Sequence, residues 1–143
     1  MMMTPRKSYK HGGPKRQGTY YESLFKTACL KRGLDVSSPE GDHLDYDVVI
    51  GGKEDLRKVQ VKGTAVPFGS SGFRVTMGHG RGKEIYDSDS FDFLAVYVDI
   101  PDVRTWYVIP RDVLGRRKTV RVFPQNPASR GKYERYKNAF HIL

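Results

Sequence analysis

Apolar side chains recur at helical spacing in the first quarter of the chain, in the series Tyr21, Leu24, Phe25 and Ala28. This pattern predicts an amphipathic helix whose buried stripe lies on those residues. The helix is expected to begin at Thr19, whose hydroxyl suits an N-cap, and to end at Gly33. Residues 1–18 are rich in Gly, Pro, Lys and Arg, and this composition predicts a flexible basic arm.

Short apolar segments bounded by turn residues predict β-strands in the rest of the chain. Val36 is placed on the first strand and residues 46–50 on the second, and the glycines at 51–52 turn the chain so that residues 56–62 return as the third. Further strands are predicted at 73–77, 91–100 and 105–109. The segment 91–100 is almost continuously apolar, which is typical of a central strand. Loops at 66–72 and 78–83, a short helix at 84–90 and a final helical segment at 129–140 complete the predicted order.

The stretch VQVK at 59–62 combines two apolar and two polar residues on one predicted strand. Alternation places Val59 and Val61 on one face, and Gln60 and Lys62 on the other. The polar face is either solvated, as on any half-exposed strand, or lines a reaction site. Asp47 lies on the preceding strand, so a hairpin between the two strands would bring its carboxylate to Gln60 and Lys62.

Glu22 lies at the border of the apolar stripe of the predicted helix. From there its carboxylate is able to lean over the sheet on which the helix packs. A second acidic feature is the run of Glu40, Asp42, Asp45 and Asp47 within eight residues. Either these acids point away from a polyanionic ligand, or a divalent cation lies among them.

The charge balance indicates a polyanionic partner. Lys and Arg number 25 against 16 Asp and Glu, which gives a net charge of +9 and an isoelectric point near 9.7. Nucleic acid is the first candidate for a basic domain of this size, with a merely basic soluble surface as the alternative. The residues predicted to contact DNA are Lys10, Lys15, Arg16, Arg74, Arg81, Lys83, Arg116, Arg117 and Lys118.

Length and cysteine content limit the class of protein further. The 143 residues suit one domain with one core, placed at residues 19–143 behind the arm. Cys29 is the only cysteine, which excludes an internal disulfide and predicts a buried thiol in a reducing compartment. No apolar run is long enough for a membrane helix, and no secretory signal is present, so a cytoplasmic location is expected.

Several segments, taken in order, resemble the PD-(D/E)XK nuclease superfamily. They are GTYYESLFKTACLKRGLDV, SPEGDHLDYDVVI, RKVQVKGTA, IYDSDSFDFLAVYV, TWYVIP and YERYKNAF. The superfamily pattern is a helix glutamate, a strand aspartate and an acid-X-lysine on the next strand. The chain most resembles the homing endonucleases of the group I intron type and the Holliday junction resolvases. This resemblance implies an α/β fold of the restriction-endonuclease kind, with a mixed central β-sheet flanked by helices.

The resemblance also implies a chemistry and a site. It implies a DNA endonuclease that uses Mg²⁺, with Mn²⁺ able to substitute, and catalytic residues Glu22, Asp47, Gln60 and Lys62. Asp47, the side-chain oxygen of Gln60 and the Val61 carbonyl would hold the metal, and Glu22 would bind through water or hold a second ion. Lys62 would either position or deprotonate the attacking water, or stabilise charge on phosphorus. Gln60 departs from the pattern, since most members carry Asp or Glu there.

Sequence-specific homing cleavage is the first functional prediction. The alternatives are a resolvase that recognises branched DNA, and a DNA-binding module on a degenerate nuclease fold, which Gln60 favours. One site cuts one strand, so a homodimer or homotetramer is expected, with the aromatic residues Tyr97, Trp106 and Tyr107 contributing to the interface.

Overall fold

The first helix, α1, spans Pro14–Lys31 in the computed structural model, which describes residues 13–41, 44–51, 55–69, 72–77, 90–126 and 131–143. It begins five residues before Thr19, because a proline in the first turn has its φ already fixed at a helical value. The predicted N-cap at Thr19 is therefore wrong, and residues 14–18 of the predicted arm are helical. The predicted end is confirmed, since Gly33 follows the helix with a φ of 77°.

Within the described ranges, eight strands form two sheets. They are β1 (Val36–Ser37), β2 (Val48–Ile50), β3 (Arg57–Thr64), β4 (Pro67–Phe68), β5 (Gly72–Thr76), β6 (Phe93–Val98), β7 (Thr105–Pro110) and β8 (Thr119–Val122). The central sheet has the order β1-β2-β3-β6-β7 and is mixed, because β3 and β6 run parallel and the other neighbours antiparallel. The predicted hairpin of the second and third strands is confirmed, with Val48 opposite Val59.

The two faces of the central sheet are covered by different elements. On one face, Tyr21, Phe25 and Cys29 of α1 pack against a cluster that includes Val59 and Val61. The other face is covered by the second sheet, of order β4-β5-β8. Its buried residues form a second cluster with β6 and β7, and those residues are Phe73, Val75, Val120 and Val122. The mixed central sheet is thus confirmed, whereas the second sheet was not predicted.

The predicted helix at 129–140 is wrong over residues 131–140. This segment contains the 3₁₀ turn Glu134–Tyr136, and a second turn, Phe140–Ile142, follows it. The chain runs along the outer edge of β7, where the Asn138 amide donates to the Trp106 carbonyl at 2.7 Å. This edge pairing prevents a continuous helix. A short helix, α2 (Arg111–Leu114), was not predicted, and the helix expected at 84–90 falls, except for Ser90, outside the described residues.

The aromatic residues predicted for a subunit interface belong to the core of the single chain. Trp106 is buried and lies 4.5 Å from Tyr97, centroid to centroid, beneath α1. Tyr107 is fully buried, and its hydroxyl donates to Glu134 Oε1 at 2.8 Å. The interface prediction for these three side chains is therefore wrong.

The structure also bears on the predicted burial of Cys29 and on the expected absence of a membrane helix. Cys29 is buried, as expected, and burial raises the pKa of its thiol to about 12. None of the helices in the described ranges is long and apolar enough to cross a membrane.

Candidate active site

The alternation predicted for VQVK is present on β3, but both of its faces are covered. Val59 and Val61 face α1. Gln60 and Lys62 are paired in register with Leu94 and Val96 of β6, whose side chains belong to the cluster on the opposite face. Gln60 is only 7% exposed and is the one buried polar side chain in the described part of the chain. A freely solvated polar face is thus excluded at Gln60.

Asp47 immediately precedes β2 and is fixed to β3 by two hydrogen bonds. Its amide donates to the Val59 carbonyl at 2.9 Å. Its carboxylate oxygen Oδ2 accepts from the Val61 amide at 2.8 Å. The hairpin register therefore positions the Asp47 carboxylate beside the backbone that links Gln60 to Lys62.

Glu22 is brought to the same place by the packing of its neighbour Tyr21. The Tyr21 ring lies against Gly63, where an added Cβ would overlap the ring. The Tyr21 hydroxyl accepts from Gln17 Nε2 at 3.1 Å and donates to Asp99 Oδ2 at 3.3 Å. Burial of Tyr21 at the residue after Lys62 sets the rotation of α1, and this rotation directs Glu22 to Asp47.

The two carboxyl groups hydrogen-bond to each other and share a proton. Burial, followed by the adjacent negative charge of Asp47, raises the pKa of Glu22 to about 7. Burial also raises the pKa of Asp47, although the Val61 amide, the hydrogen bond from Glu22 and the charges of Lys62 and Lys26 oppose this rise. Because the pKa of Glu22 is raised to about 7, Glu22 holds the proton below that pH and donates it to the Asp47 carboxylate. A proton or a metal cation between two such half-buried carboxyl groups compensates their negative charge.

The oxygen atoms at this point fit a hard divalent cation. Glu22 and Asp47 supply two carboxylates, and the neighbouring strand β3 carries Gln60 and Val61, whose amide and backbone oxygens would be the further ligands. No group of three His, Cys, Asp or Glu side chains suited to a metal occurs among the described residues. Because Gln60 replaces an acid, uncharged oxygens must complete the ligand set.

The predicted DNA-contact residues are distributed over two surfaces. Lys15 and Arg16 are exposed in the first turn of α1. Arg74 is exposed on β5, and Arg116, Arg117 and Lys118 are exposed in the turn between α2 and β8. The remaining three, Lys10, Arg81 and Lys83, lie outside the described residues.

Two basic residues near these surfaces were missed in the sequence. Lys26 lies one helical turn after Glu22. Its positive charge partly opposes the rise that burial causes in the pKa values of Glu22 and Asp47. The spacing of four residues on a predicted helix was the available signal. Arg121 of β8 lies directly opposite Arg74 of β5. This pairing joins distant segments and left no signal in the sequence.

A helix glutamate lies beside an aspartate that precedes a hairpin, and the second strand of that hairpin carries a Gln-X-Lys whose lysine acts on the aspartate. Residues 13–143 match the family model described as PD-(D/E)XK endonuclease. The chain belongs to the PD-(D/E)XK endonuclease family. Endonucleases of this family generally use divalent metal ions.

Two solved structures of other nucleases match the chain to different degrees. A bacterial homing endonuclease, I-Ssp6803I, is 26% identical to this PD-(D/E)XK endonuclease with a TM-score of 0.78, over 91% of this chain and 92% of the other. The Holliday junction resolvase Hjc of Archaeoglobus fulgidus is 16% identical with a TM-score of 0.47, over 75% and 84% of the two chains. No curated protein sequence matches the chain significantly.

Proposed function

We propose that this PD-(D/E)XK endonuclease hydrolyses DNA phosphodiesters with Mg²⁺ and cuts duplex DNA at specific sequences, as a homing-type enzyme. The observation that carries the proposal is the proximity of Glu22, Asp47 and Lys62 at the β2–β3 hairpin, on whose second strand Gln60 is also buried. A bound divalent cation would supply Lewis acidity and lower the pKa of an attacking water. Mn²⁺ is expected to substitute.

Each protein side chain would have a separate role around that cation, either as a ligand or as a source of positive charge. Asp47 is the principal ligand, since its carboxylate is oriented by the Val61 amide. Gln60 presents its amide oxygen from a buried position, so its geometry is restricted by packing. Glu22 completes the site directly or through water once its proton is released. Lys62 lies near enough to lower the pKa of Asp47 and provides positive charge for the attacking water or the developing phosphorane.

The second sheet supplies a surface for the DNA backbone. Arg74 and Arg121 are paired directly across β5 and β8 on the exposed side. Both guanidinium groups lie over the Phe68 ring, at 3.9 and 5.2 Å from its centroid. Like charges in directly opposite positions destabilise a sheet, and an anionic ligand removes that penalty. Together with Arg116, Arg117 and Lys118 this surface suits contacts to phosphates and groove edges.

Sequence-specific cleavage is preferred over junction resolution on one ground. The likeness to the homing endonuclease covers nearly the whole of both chains at 26% identity. A double-strand break requires at least two copies of a single-site domain, so we propose a homodimer or a homotetramer.

The proposed function is tested on three DNA substrates: supercoiled plasmid, a library of long duplexes, and a synthetic four-way junction. Each is incubated with Mg²⁺, with Mn²⁺ and with a chelator. Cleavage of long duplexes at few positions in either metal, and none with chelator, is the expected result. Cleavage restricted to the junction irrespective of sequence would instead identify a resolvase. Binding without cleavage under any metal would identify a DNA-binding module.

A further inference from the structure

The exposed face of the second sheet carries two arginines whose guanidinium groups are held against aromatic rings. Arg74 and Arg121 are direct partners across β5 and β8, and both side chains are exposed. They share the Phe68 ring, with the Arg74 and Arg121 guanidinium carbons 3.9 and 5.2 Å from its centroid. Phe123 is a second aromatic neighbour of Arg121, also at 5.2 Å. Contact with a ring restricts the orientation of a guanidinium group and leaves its N–H edge available for hydrogen bonds.

Two glycines bring the Arg121 side chain close to the backbone of the sheet. A Cβ added at Gly69 would lie 3.1 Å from the terminal nitrogen Nη2 of Arg121, and one added at Gly72 would lie 3.2 Å from it. Gly72 also accommodates the Phe123 ring, which an added Cβ would meet at 2.8 Å. The absence of side chains at these two positions thus shapes the place that Arg121 occupies. Because the freedom of this long side chain is already restricted, less entropy is lost when it binds a ligand.

The described segments that build this surface carry no acidic side chain. Residues 66–69, 72–77 and 116–123 contain five Lys and Arg and no Asp or Glu. Among the ion pairs within the described ranges, none involves Arg74 or Arg121. Two like charges in opposite positions of a sheet repel each other, so the pair favours a ligand that accepts hydrogen bonds and carries negative potential.

The shape of this surface fits the major groove of DNA. That groove is about 12 Å wide and admits a two-stranded β-ribbon. β5 and β8 form such a ribbon, since β4 beside them has only two residues. The exposed turn before β8, with Arg116, Arg117 and Lys118, suits the phosphates that flank the groove. A phosphate oxygen accepts from any nearby cation, whereas a base edge is read only by donors in a defined orientation.

We propose that Arg74 and Arg121 read two guanines in the major groove of the target, and that Phe68 is the positioning residue for both. Each guanidinium presents two N–H donors to O6 and N7 of one guanine, the pattern that distinguishes guanine from the other bases. Because both groups lie over the Phe68 ring, they are within about 9 Å of each other, which is less than three base-pair steps of about 3.4 Å. The proposal rests on the proposed function and assigns residues that determine which sequence is cut.

The first test measures sequence preference in binding, without cleavage. Randomised duplexes are selected for binding in chelator and sequenced, for the wild type, Arg74→Gln, Arg121→Gln and the charge-matched control Arg117→Gln. The wild type should enrich guanine at two positions per bound subunit, no more than about three base pairs apart. Arg74→Gln and Arg121→Gln should each lose that preference about tenfold or more at one position, because Gln pairs with adenine instead. Arg117→Gln should weaken binding to all sequences and reduce the salt slope by about 0.9, with the guanine preference unchanged.

The second test separates contact with the base from contact with its phosphate. Guanine at each mapped position is replaced by 7-deazaguanine, which lacks the N7 acceptor and leaves the phosphate as it was. Wild-type affinity, measured by fluorescence anisotropy, should fall about tenfold for each replacement. Arg74→Gln and Arg121→Gln should each be insensitive to the analogue at the position whose preference they have lost.

A pair of substitutions tests the positioning role of Phe68. Phe68→Leu removes the ring and should lower the guanine preference several-fold at both positions together, whereas Phe68→Tyr keeps the ring and should retain it. Leu56→Ala is the control, since Leu56 is an exposed apolar residue outside the second sheet. Thermal melts establish that each variant is folded. A full preference at both positions in Phe68→Leu would refute this role.

The outcomes separate base reading from the proposed function. A preferred site without these guanines, or an Arg74→Gln or Arg121→Gln variant that keeps the wild-type preference, would overturn base reading while sequence-specific cleavage by the wild type stands. A wild type that enriches no sequence and cuts long duplexes at random would refute the proposed function itself.

Discussion

At the scale of single residues, the shared proton of Glu22 and Asp47 decides how the metal-free site behaves. Burial holds both carboxyl groups partly away from water, and Asp47 raises the pKa of Glu22, whereas the hydrogen bond from Glu22 lowers the pKa of Asp47. Most of the proposed site could be derived at this scale, because Glu22, Asp47, Gln60 and Lys62 stand in an order that carries a family pattern. The burial of Gln60 was not predictable, because the face it lies on is covered by a second sheet that is assembled from distant segments.

The shared proton predicts a pH dependence of stability in the metal-free protein. Because the pKa of Glu22 is raised from 4.5 to about 7, the folded state holds a proton that the unfolded chain releases. Stability should therefore fall as pH rises from about 4.5 to 7 and then level off. Glu22→Gln keeps a donor to Asp47 and should flatten this fall, raising Tm at pH 8 by a few degrees in thermal melts with chelator. Exposed Glu40→Gln is the control, and parallel Tm profiles for Glu22→Gln and the wild type would contradict the shared proton.

Gln60 predicts a change in metal requirement. Gln60→Glu adds a third carboxylate at a buried position, which favours a divalent cation, so cleavage should persist at several-fold lower Mg²⁺. Gln60→Ala removes the oxygen and should raise the required Mg²⁺ or abolish cleavage. A magnesium titration of cleavage rate measures both, with exposed Gln125→Ala as control. If Gln60→Ala follows the wild-type titration, Gln60 is not a ligand.

At the scale of elements, the active site depends on how closely α1 approaches β3. The helix and the hairpin were predictable because their signals are local: a 3.6-residue period, an alternating strand and a pair of glycines. The start of α1 was missed because Gly and Pro in residues 12–18 resemble a loop. The β4-β5-β8 sheet was missed because β4 has only two residues and β8 pairs with a strand more than 40 residues earlier. The C-terminal helix pattern was misleading because the edge of β7 needs hydrogen-bonding partners.

Two glycines provide a matched test of this packing. Gly63→Ala places a methyl group against the buried Tyr21 ring, so we expect a loss of about 1–3 kcal/mol in stability and slower cleavage as Glu22 is displaced. Gly18→Ala meets no atom within 4 Å in the helix and should raise stability by about 0.5–1 kcal/mol. Urea unfolding measures both variants. A neutral Gly63→Ala would show that close approach of α1 does not position Glu22.

At the scale of the whole molecule, the proposed catalytic residues and the proposed DNA-backbone surface lie in different places. The carboxylates lie at the β2–β3 hairpin, whereas Arg74 and Arg121 lie on the exposed side of the second sheet. The basic composition was a sufficient signal for a polyanionic partner, since net charge does not depend on the fold. A surface for the proposed assembly was not predicted correctly, because the aromatic residues chosen for it pack inside one chain.

Assembly is tested by multi-angle light scattering at micromolar concentration. A mass of two or four times 16.3 kDa is expected, because paired cuts need at least two sites. Trp106→Phe, at a buried core position, should leave that mass unchanged. A single-chain mass that persists with DNA bound would exclude the proposed assembly.

The most direct test of the active site is a comparison of DNA cleavage and DNA binding in Asp47→Ala and Lys62→Ala. Exposed Asp112→Ala and Lys132→Ala serve as charge-matched controls. Both site variants should lose Mg²⁺-dependent cleavage by at least about a hundredfold, while DNA affinity stays within a few-fold because it resides in the basic surfaces. Near-wild-type cleavage by either site variant would contradict the assignment of the active site to the β2–β3 hairpin.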